Sequence, residues 1–409
     1  MSEPISVEAA RAAVLAEVAA PLPGERVPLD EALGRVLSRD AEAPEDVPAF
    51  DNSAMDGYAL RAADTEGAGP GSPVRLRVID ESRAGSPAAK AVEPGTAIAI
   101  STGAALPEGA DAVLRVEDVR RDGEWIEFEA RLEPGHDVRR AGDDVRAGTR
   151  VLPAGTLLGP PELGVLASLG EPRPECARRP RVAVLCTGDE LLAPDEPMRP
   201  GGVRNSNGLT LPALARRAGA EVTLVERVPD DPGATRAALA RGLESDVVVC
   251  CGGVSVGPHD HVKGALAELG VAERFWRVAL RPGRPTWFGV HEDGEHRALV
   301  FGLPGNPVSS FVTFVLFARP ALRALTGARE APERATAALA SEVPRLPGRD
   351  QAVRCRLELT DAGWMAHPTG PQGSHVLTSL LDADALAIVP AGEEPAAAGE
   401  RVTVELLRA

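Results

Sequence analysis

The sequence predicts a multidomain α/β plus β protein. It has a central, mostly parallel, doubly wound α/β domain, a β-rich domain inserted before it, and a small C-terminal β domain. Three observations carry this expectation. From 181 to about 323, short apolar strands alternate with helical patterns, as in a parallel sheet covered on both faces. From 74 to 119, valine and isoleucine runs alternate with punctuation such as Pro94-Gly95. From 331 onward the chain is alanine- and valine-rich, with strand-like runs at 352–359 and 385–389. The boundaries that follow are 1–48 with 145–178 for an N-terminal helical and linker domain, 49–144 for the β-rich domain, 179–328 for the α/β domain and 329–409 for the last.

In chain order, Ser6 can cap a helix whose apolar face includes Val7, Ala10, Val14 and Val18. A second short helix is expected over 30–37, then a proline-rich connection at 43–48. A further helix is expected over 161–168, and 173–180 reads as a linker. In the α/β region, strands are expected at 181–185, 222–228, 246–251, near 274–280, near 285–290 and at 298–301. Helices are expected at 209–218, from 232, at 259–269 and from 308.

Composition narrows the functional classes. The 409 residues carry 44 basic and 60 acidic side chains, a net charge of −16, which argues against nucleic acid or an anionic membrane as the main partner. No apolar run approaches the ~20 residues that span a bilayer, and the first twenty lack the basic start and apolar core of a signal peptide. The five cysteines form no C-x-x-C pair and fit a reduced, cytoplasmic setting, with Cys250 and Cys251 read as core residues. Lysine occurs only at 90 and 263, so nearly all positive charge is arginine.

Ligands of an open α/β sheet bind at the carboxyl ends of its strands. Four loops fall there: 187–190 with Glu190, 205–207 with Ser206, 252–260, and 302–307 with Pro304, Gly305 and Pro307; Asp230 lies at a fifth. In the third loop, Gly252, Gly253, Ser255 and Gly257 follow the valine-rich strand and precede a helix, which aims backbone N–H groups at an anion. Asp260 stands where that helix begins. It suits either a cap or a carboxylate ligand to a divalent cation that faces a phosphate. Arg277, Arg281 and Arg284 share one segment and can hold an oxyanion through bidentate hydrogen bonds, or form a solvated face. Outside this region, FDNSAMDGYAL at 50–60 gathers Ser53 and Asp56 around the chain's only tyrosine. Thr102 follows a strand, Arg139 lies in a loop rich in both charges, and Ser374 occupies the polar loop at 373–380.

Eight segments in order, FDNSAMDGYA, STGAALPEGADAV, CTGDELL, RNSN, GGVSVGPHDHVK, RVALRPGRP, GLPGNPVSS and GSHVLTSL, resemble the MoeA family of molybdopterin molybdenumtransferases, also seen as the E domain of gephyrin. The resemblance implies the last step of molybdenum cofactor synthesis. Adenylylated molybdopterin is bound with Mg2+, molybdate enters, AMP leaves and the metal is inserted at the dithiolene. It implies an elongated four-domain subunit in a homodimer, with contact to the molybdopterin adenylyltransferase as a further expectation. By motif position Asp56, Thr102, Glu190, Asp230 and Asp260 match the family's functional residues, as do Pro304 and Pro307; Glu190 and Asp260 would hold Mg2+. Arg277, Arg281 and Arg284 stand where the family often has lysine, which keeps oxyanion binding but disfavours proton donation. Two alternatives remain at this point: a molybdopterin adenylyltransferase, which shares the glycine turn, and a gephyrin-like scaffold that binds a partner peptide.

Overall fold

The computed structural model describes residues 3–253, 261–294, 296–329 and 333–407. The helix Val7–Ala16 starts as expected, with Ser6 accepting from the Ala9 N–H. Its buried face, Val7, Ala10 and Val14, packs into the core of the α/β region rather than into a separate N-terminal unit. The helix expected over 30–37 is instead a single 3₁₀ turn, Leu29–Glu31. Gly34 takes a φ of 73°, which ends helical geometry, and Val36 and Leu37 form bridges to Leu157 and Cys176. The expected linker at 173–180 contains a strand, Glu175–Ala177, paired antiparallel with Gly24–Arg26. Cys176 there is buried, so the segment is held by its apolar side chain as well as its ladder.

The β-rich region is a six-stranded sheet ordered Ala112–Arg115, Gly57–Leu60, Thr96–Ile100, Val74–Ser82, Trp125–Phe128, Arg120–Asp122. Only Val74–Ser82 and Thr96–Ile100 run parallel. The sheet places Asp56 immediately before Gly57–Leu60 and Thr102 just after Thr96–Ile100, which are neighbours.

The central sheet positions the cavity described below. Its elements are β1 (Arg181–Thr187), α1 (Asn207–Arg217), β2 (Glu221–Val228), α2 (Pro232–Gly242), β3 (Val247–Cys251), α3 (Val262–Glu268), β4 (Ala272–Trp276), β5 (Trp287–Asp293), β6 (His296–Leu303) and α4 (Pro307–Thr313). The order is β2-β1-β3-β6-β5-β4. The first four strands are parallel, and β5 and β4 add an antiparallel edge. The two faces are buried separately: Val184, Cys186, Val249 and Cys251 pack on one side, Leu185, Val248 and Cys250 on the other. The strand expected near 274–280 is two pieces. β4 ends at Trp276, and Leu280–Arg281 leaves the sheet to pair with Asp350 and Gln351 of the C-terminal region.

From α4 the chain continues helically, through a π turn at Phe314–Ala318, to Leu325. This stretch, Pro307–Leu325, is long and apolar enough to cross a bilayer by length and composition, which corrects the expectation that no run comes near that length. It is 83% buried within the protein, and Ser310 and Thr313 return their hydroxyls to helix carbonyls, as a core helix requires. The C-terminal strands Asp350–Thr360, Gly363–Pro368, Arg334–Leu339, Arg401–Leu406 and Ala385–Val389 pair in that order, and the last pairs back with the first. They form a small closed barrel without free edges.

One buried ion pair fixes the entry to β1. Asp246 accepts both Arg178 Nη1 and Nη2, at 2.8 and 2.9 Å, and the Arg181 N–H at 2.7 Å. Burial alone would raise its carboxyl pKa. The Arg178 guanidinium and the Arg181 N–H outweigh burial and hold it below the usual range. Its contribution is therefore complete above the usual carboxylate pKa of about 4 and fades as pH falls through the lowered value. Asp246→Asn is expected to lose about 2 kcal/mol at pH 7 and lower the thermal midpoint by several degrees. Melts from pH 7 to pH 3 should show the gap to the unaltered chain closing as pH falls.

Candidate active site

A cavity of about 620 Å³ opens at the carboxyl ends of the parallel strands, and its described lining residues all fall between Cys186 and Pro307. Each comes from a strand end or the loop after it. β1 supplies Cys186, Thr187, Gly188 and Glu190; the start of α1 supplies Asn205, Ser206 and Asn207. Asp230 follows β2, Cys251 to Gly253 close β3, and Pro304 to Pro307 follow β6. Of the expected site residues, the structure brings Glu190, Ser206, Asp230, Gly252, Gly253, Pro304, Gly305 and Pro307 to this one cavity. Ser255, Gly257 and Asp260 lie outside the described residues.

Steric contact explains the glycines. Gly252 has φ 90°, and a Cβ there would stand 2.8 Å from Thr187 Oγ1 and 2.9 Å from the Thr187 carbonyl. Gly253 has φ 66°, and its Cβ would meet Val262 of α3 at 2.5 Å. The turn can follow β3 this closely only without side chains. Below it, Asn207 Nδ2 donates to Cys251 Sγ at 2.9 Å and to the Gly305 carbonyl at 2.8 Å, while Ser310 Oγ donates to Asn207 Oδ1 at 3.0 Å. One buried amide thus ties α1, β3 and the 302–307 loop together. Asn205 Oδ1 accepts from the Gly208 N–H at 2.9 Å and holds the first turn of α1.

The rim is acidic. Asp189 and Asp230 exchange hydrogen bonds, each accepting the other's N–H, at 3.2 and 3.4 Å. Among the described lining residues the only cationic side chain is Arg204, and it donates to the carbonyls of Ala193 and Glu196. The cavity's thiols stay protonated: burial pushes Cys186 up to about 11 and Cys251 well above its ordinary value. The donors that remain for a cation are hard oxygens, Glu190 and Asp230 with Asp189 beside them. That set suits a divalent ion such as Mg2+, which takes one or two carboxylates and completes its shell with water and phosphate oxygens. Among the described residues no group of three or more His, Cys, Asp or Glu side chains forms a metal cluster, so such an ion would depend on its substrate.

The other expected residues lie elsewhere. Asp56 Oδ1 accepts from the Thr102 N–H at 2.7 Å and from Thr102 Oγ1 at 3.1 Å, and both residues are exposed. Ser53 is buried and its hydroxyl closes a turn on Met55, donating to its carbonyl and accepting its N–H. Arg139 is exposed on a short strand paired with Asn52 and Ser53. The three arginines do not converge. Arg277, at φ 75°, has its guanidinium 4.2 Å from the Trp276 ring centre, Arg284 is exposed, and Arg281 lines a second cavity of about 330 Å³ against the C-terminal barrel. Only Pro285 of that segment reaches the larger cavity.

Ser374 shows how the barrel reaches the site: its Oγ accepts from Asn306 Nδ2 and its carbonyl from the Val308 N–H, both at 3.3 Å. Sequence reasoning missed the residue that holds this loop, Arg354. Its side chain is fully buried, donates to Ser379 Oγ and to the carbonyls of Pro371 and Gly373, and leaves Nη1 unpartnered beside the second cavity. A charged residue within an apolar alternation, AVRC, was the available signal. Thr187 and Asn207 were not singled out individually, although they fall in the expected loops 187–190 and 205–207.

Comparison with known proteins covers nearly the whole chain. Residues 5–170 match the MoeA N-terminal region (domain I and II), 183–324 a family described as a probable molybdopterin binding domain, and 336–407 the MoeA C-terminal region (domain IV). A molybdopterin molybdenumtransferase of Haemophilus influenzae is 34% identical over 407 residues, 98% of both chains. One of Synechococcus elongatus is 38% identical over 409 residues, 98% of this chain and 100% of its own. The crystal structure of a molybdopterin biosynthesis moeA protein from Pyrococcus horikoshii superposes with a TM-score of 0.84 at 32% identity, covering 99% of this chain and all of that one.

Proposed function

We infer the reaction from one premise: the chain belongs to the MoeA family of molybdopterin molybdenumtransferases. It is a transferase of the last step of molybdenum cofactor biosynthesis. We propose that it takes adenylylated molybdopterin and molybdate and releases AMP as molybdenum is inserted. The observation that carries this reading is the 620 Å³ cavity. Its walls are strand-end loops and helix starts, its floor a glycine turn, and its rim the carboxylates of Glu190 and Asp230.

An anionic substrate beside an acidic rim needs a counter-charge. Glu190 and Asp230 would hold Mg2+, with Asp260 as the third candidate, and the ion would supply the positive charge that the described lining lacks. The residues themselves do three things. The glycine turn leaves room for the phosphates to approach the backbone, and the starts of α1 and α4 line the cavity beside it, their positive ends toward it. Pro304 and Pro307 keep the 302–307 loop rigid. Asn207 locks the three loops in one arrangement.

Among the described residues none of the cavity's lining precedes Cys186, so Asp56 and Thr102 do not line it within one chain. We propose a two-fold homodimer in which the Asp56–Thr102 pair of one chain completes the cavity of the other, and contact with the molybdopterin adenylyltransferase for delivery of the substrate. Turnover of adenylylated molybdopterin with and without molybdate tests the reaction. AMP release that requires molybdate supports it. Synthesis of the adenylylated compound would assign the earlier step, and binding without turnover a scaffold.

Arg281 gives a second test. It is exposed at the smaller cavity, where its guanidinium can meet an incoming oxyanion, with the buried charge of Arg354 behind the same wall. Arg281→Ala is expected to raise the molybdate concentration for half-maximal turnover roughly tenfold, the loss of one charged hydrogen bond, with Arg281→Lys restoring most of it. Equal losses would show that the paired geometry of arginine, rather than its charge, is required.

A further inference from the structure

Two cysteines line the cavity, and no chemical step of the reaction proposed above uses their thiols. Cys186 is the penultimate residue of β1 and Cys251 the last of β3, and they are direct register partners across these parallel strands. Register partners on adjacent strands stand about 4.8 Å apart with side chains on the same face. Both pack on the same side of the sheet, and both line the 620 Å³ cavity. Cys250 points to the opposite face among Leu185 and Val248, and Cys176 and Cys355 belong to separate cores. Each thiol of the pair has a polar neighbour: Cys251 donates to the Pro304 carbonyl and accepts from Asn207, and Cys186 is hydrogen-bonded to Asn205.

We infer that Cys186 and Cys251 form a two-thiol chelating site for trivalent arsenic, opening into the substrate cavity. The acceptor suits thiols that stay protonated at neutral pH, as burial makes these. An arsenic(III) oxide R–As=O condenses with two thiols directly. Two As–S bonds form, the As=O bond and two S–H bonds break, and the oxygen leaves with both protons as water. No oxidation state changes and no added base is consumed. The second As–S bond forms within one complex, so chelation should exceed single-thiol attachment by about 10²-fold or more. The site rests on strand register and holds whether or not the proposed reaction is correct.

The test uses the folded full-length chain and phenylarsine oxide, read by intact mass rather than by activity. One adduct per chain is expected, removed by excess 2,3-dimercaptopropanol and retained in Cys250→Ser. In Cys186→Ser and Cys251→Ser, the concentration giving half-labelling should rise about 10²-fold or more. Should either variant fail to fold, digestion of the labelled unaltered chain decides the matter, because arsenic must link the peptides that contain 186 and 251. No adduct on the folded chain, an adduct linking any other pair, or equal labelling of a folded Cys186→Ser variant would overturn the assignment.

Discussion

Replacing Glu190 by glutamine is expected to lower molybdate-dependent AMP release by about 10²–10³-fold, the scale of losing one preorganised electrostatic partner of a reacting group. Glutamine keeps the size and one oxygen of the side chain but not its charge. Its backbone role, the Glu190 carbonyl accepting from the Val203 N–H at 2.8 Å, is untouched, so the fold should persist. Gly188, at φ 141°, would place a Cβ 2.3 Å from Glu190 Oε2, which shows that the carboxylate folds back over its own loop. Raising Mg2+ should recover part of the activity if the defect is weakened ion binding. Wild-type turnover across the whole titration would remove Glu190 from the metal assignment.

Asp56→Asn should cost roughly 10²-fold in turnover, within the span of lost acid–base or charge participation. The substitution is selective. Asp56 Oδ1 accepts both Thr102 donors, and asparagine retains that oxygen, so the loop pairing should survive while the charge disappears. Thr102→Ala removes one hydrogen bond but leaves the N–H contact, and about fivefold is expected. Steady-state turnover beside a thermal melt checks both. A large drop in melting temperature would assign the pair to stability.

How much of this was legible in the sequence depended on the range of the interaction. Strand, glycine turn and helix around Gly252 and Gly253 were readable because the constraint is local: φ above zero next to a strand end. The gathering of the 187–190, 205–207, 252–253 and 302–307 loops followed from the rule for parallel sheets. The 30–37 segment was misread because its apolar spacing mimics a helix, while Val36 and Leu37 are claimed by bridges to residues over a hundred positions away. The three arginines look like one patch, yet one of them, Arg281, joins the barrel through Leu280–Arg281. Contacts such as Ser374 with Asn306, or Cys186 beside Cys251, depend on register between distant segments that no local pattern encodes.

The central claim is that a cavity built by residues after 185 is completed by Asp56 and Thr102 of a second chain. Mixing two inactive variants tests it directly. Asp56→Asn and Glu190→Gln, unfolded together in equal amounts and refolded, should reassort so that about half of the dimers are mixed. If the site is shared, each mixed dimer holds one wholly native site and one doubly altered site, and activity should return to roughly a quarter of the unaltered enzyme on that counting. If both residues of a site come from one chain, every site in every dimer carries one substitution, and activity should stay at the background of the separate variants.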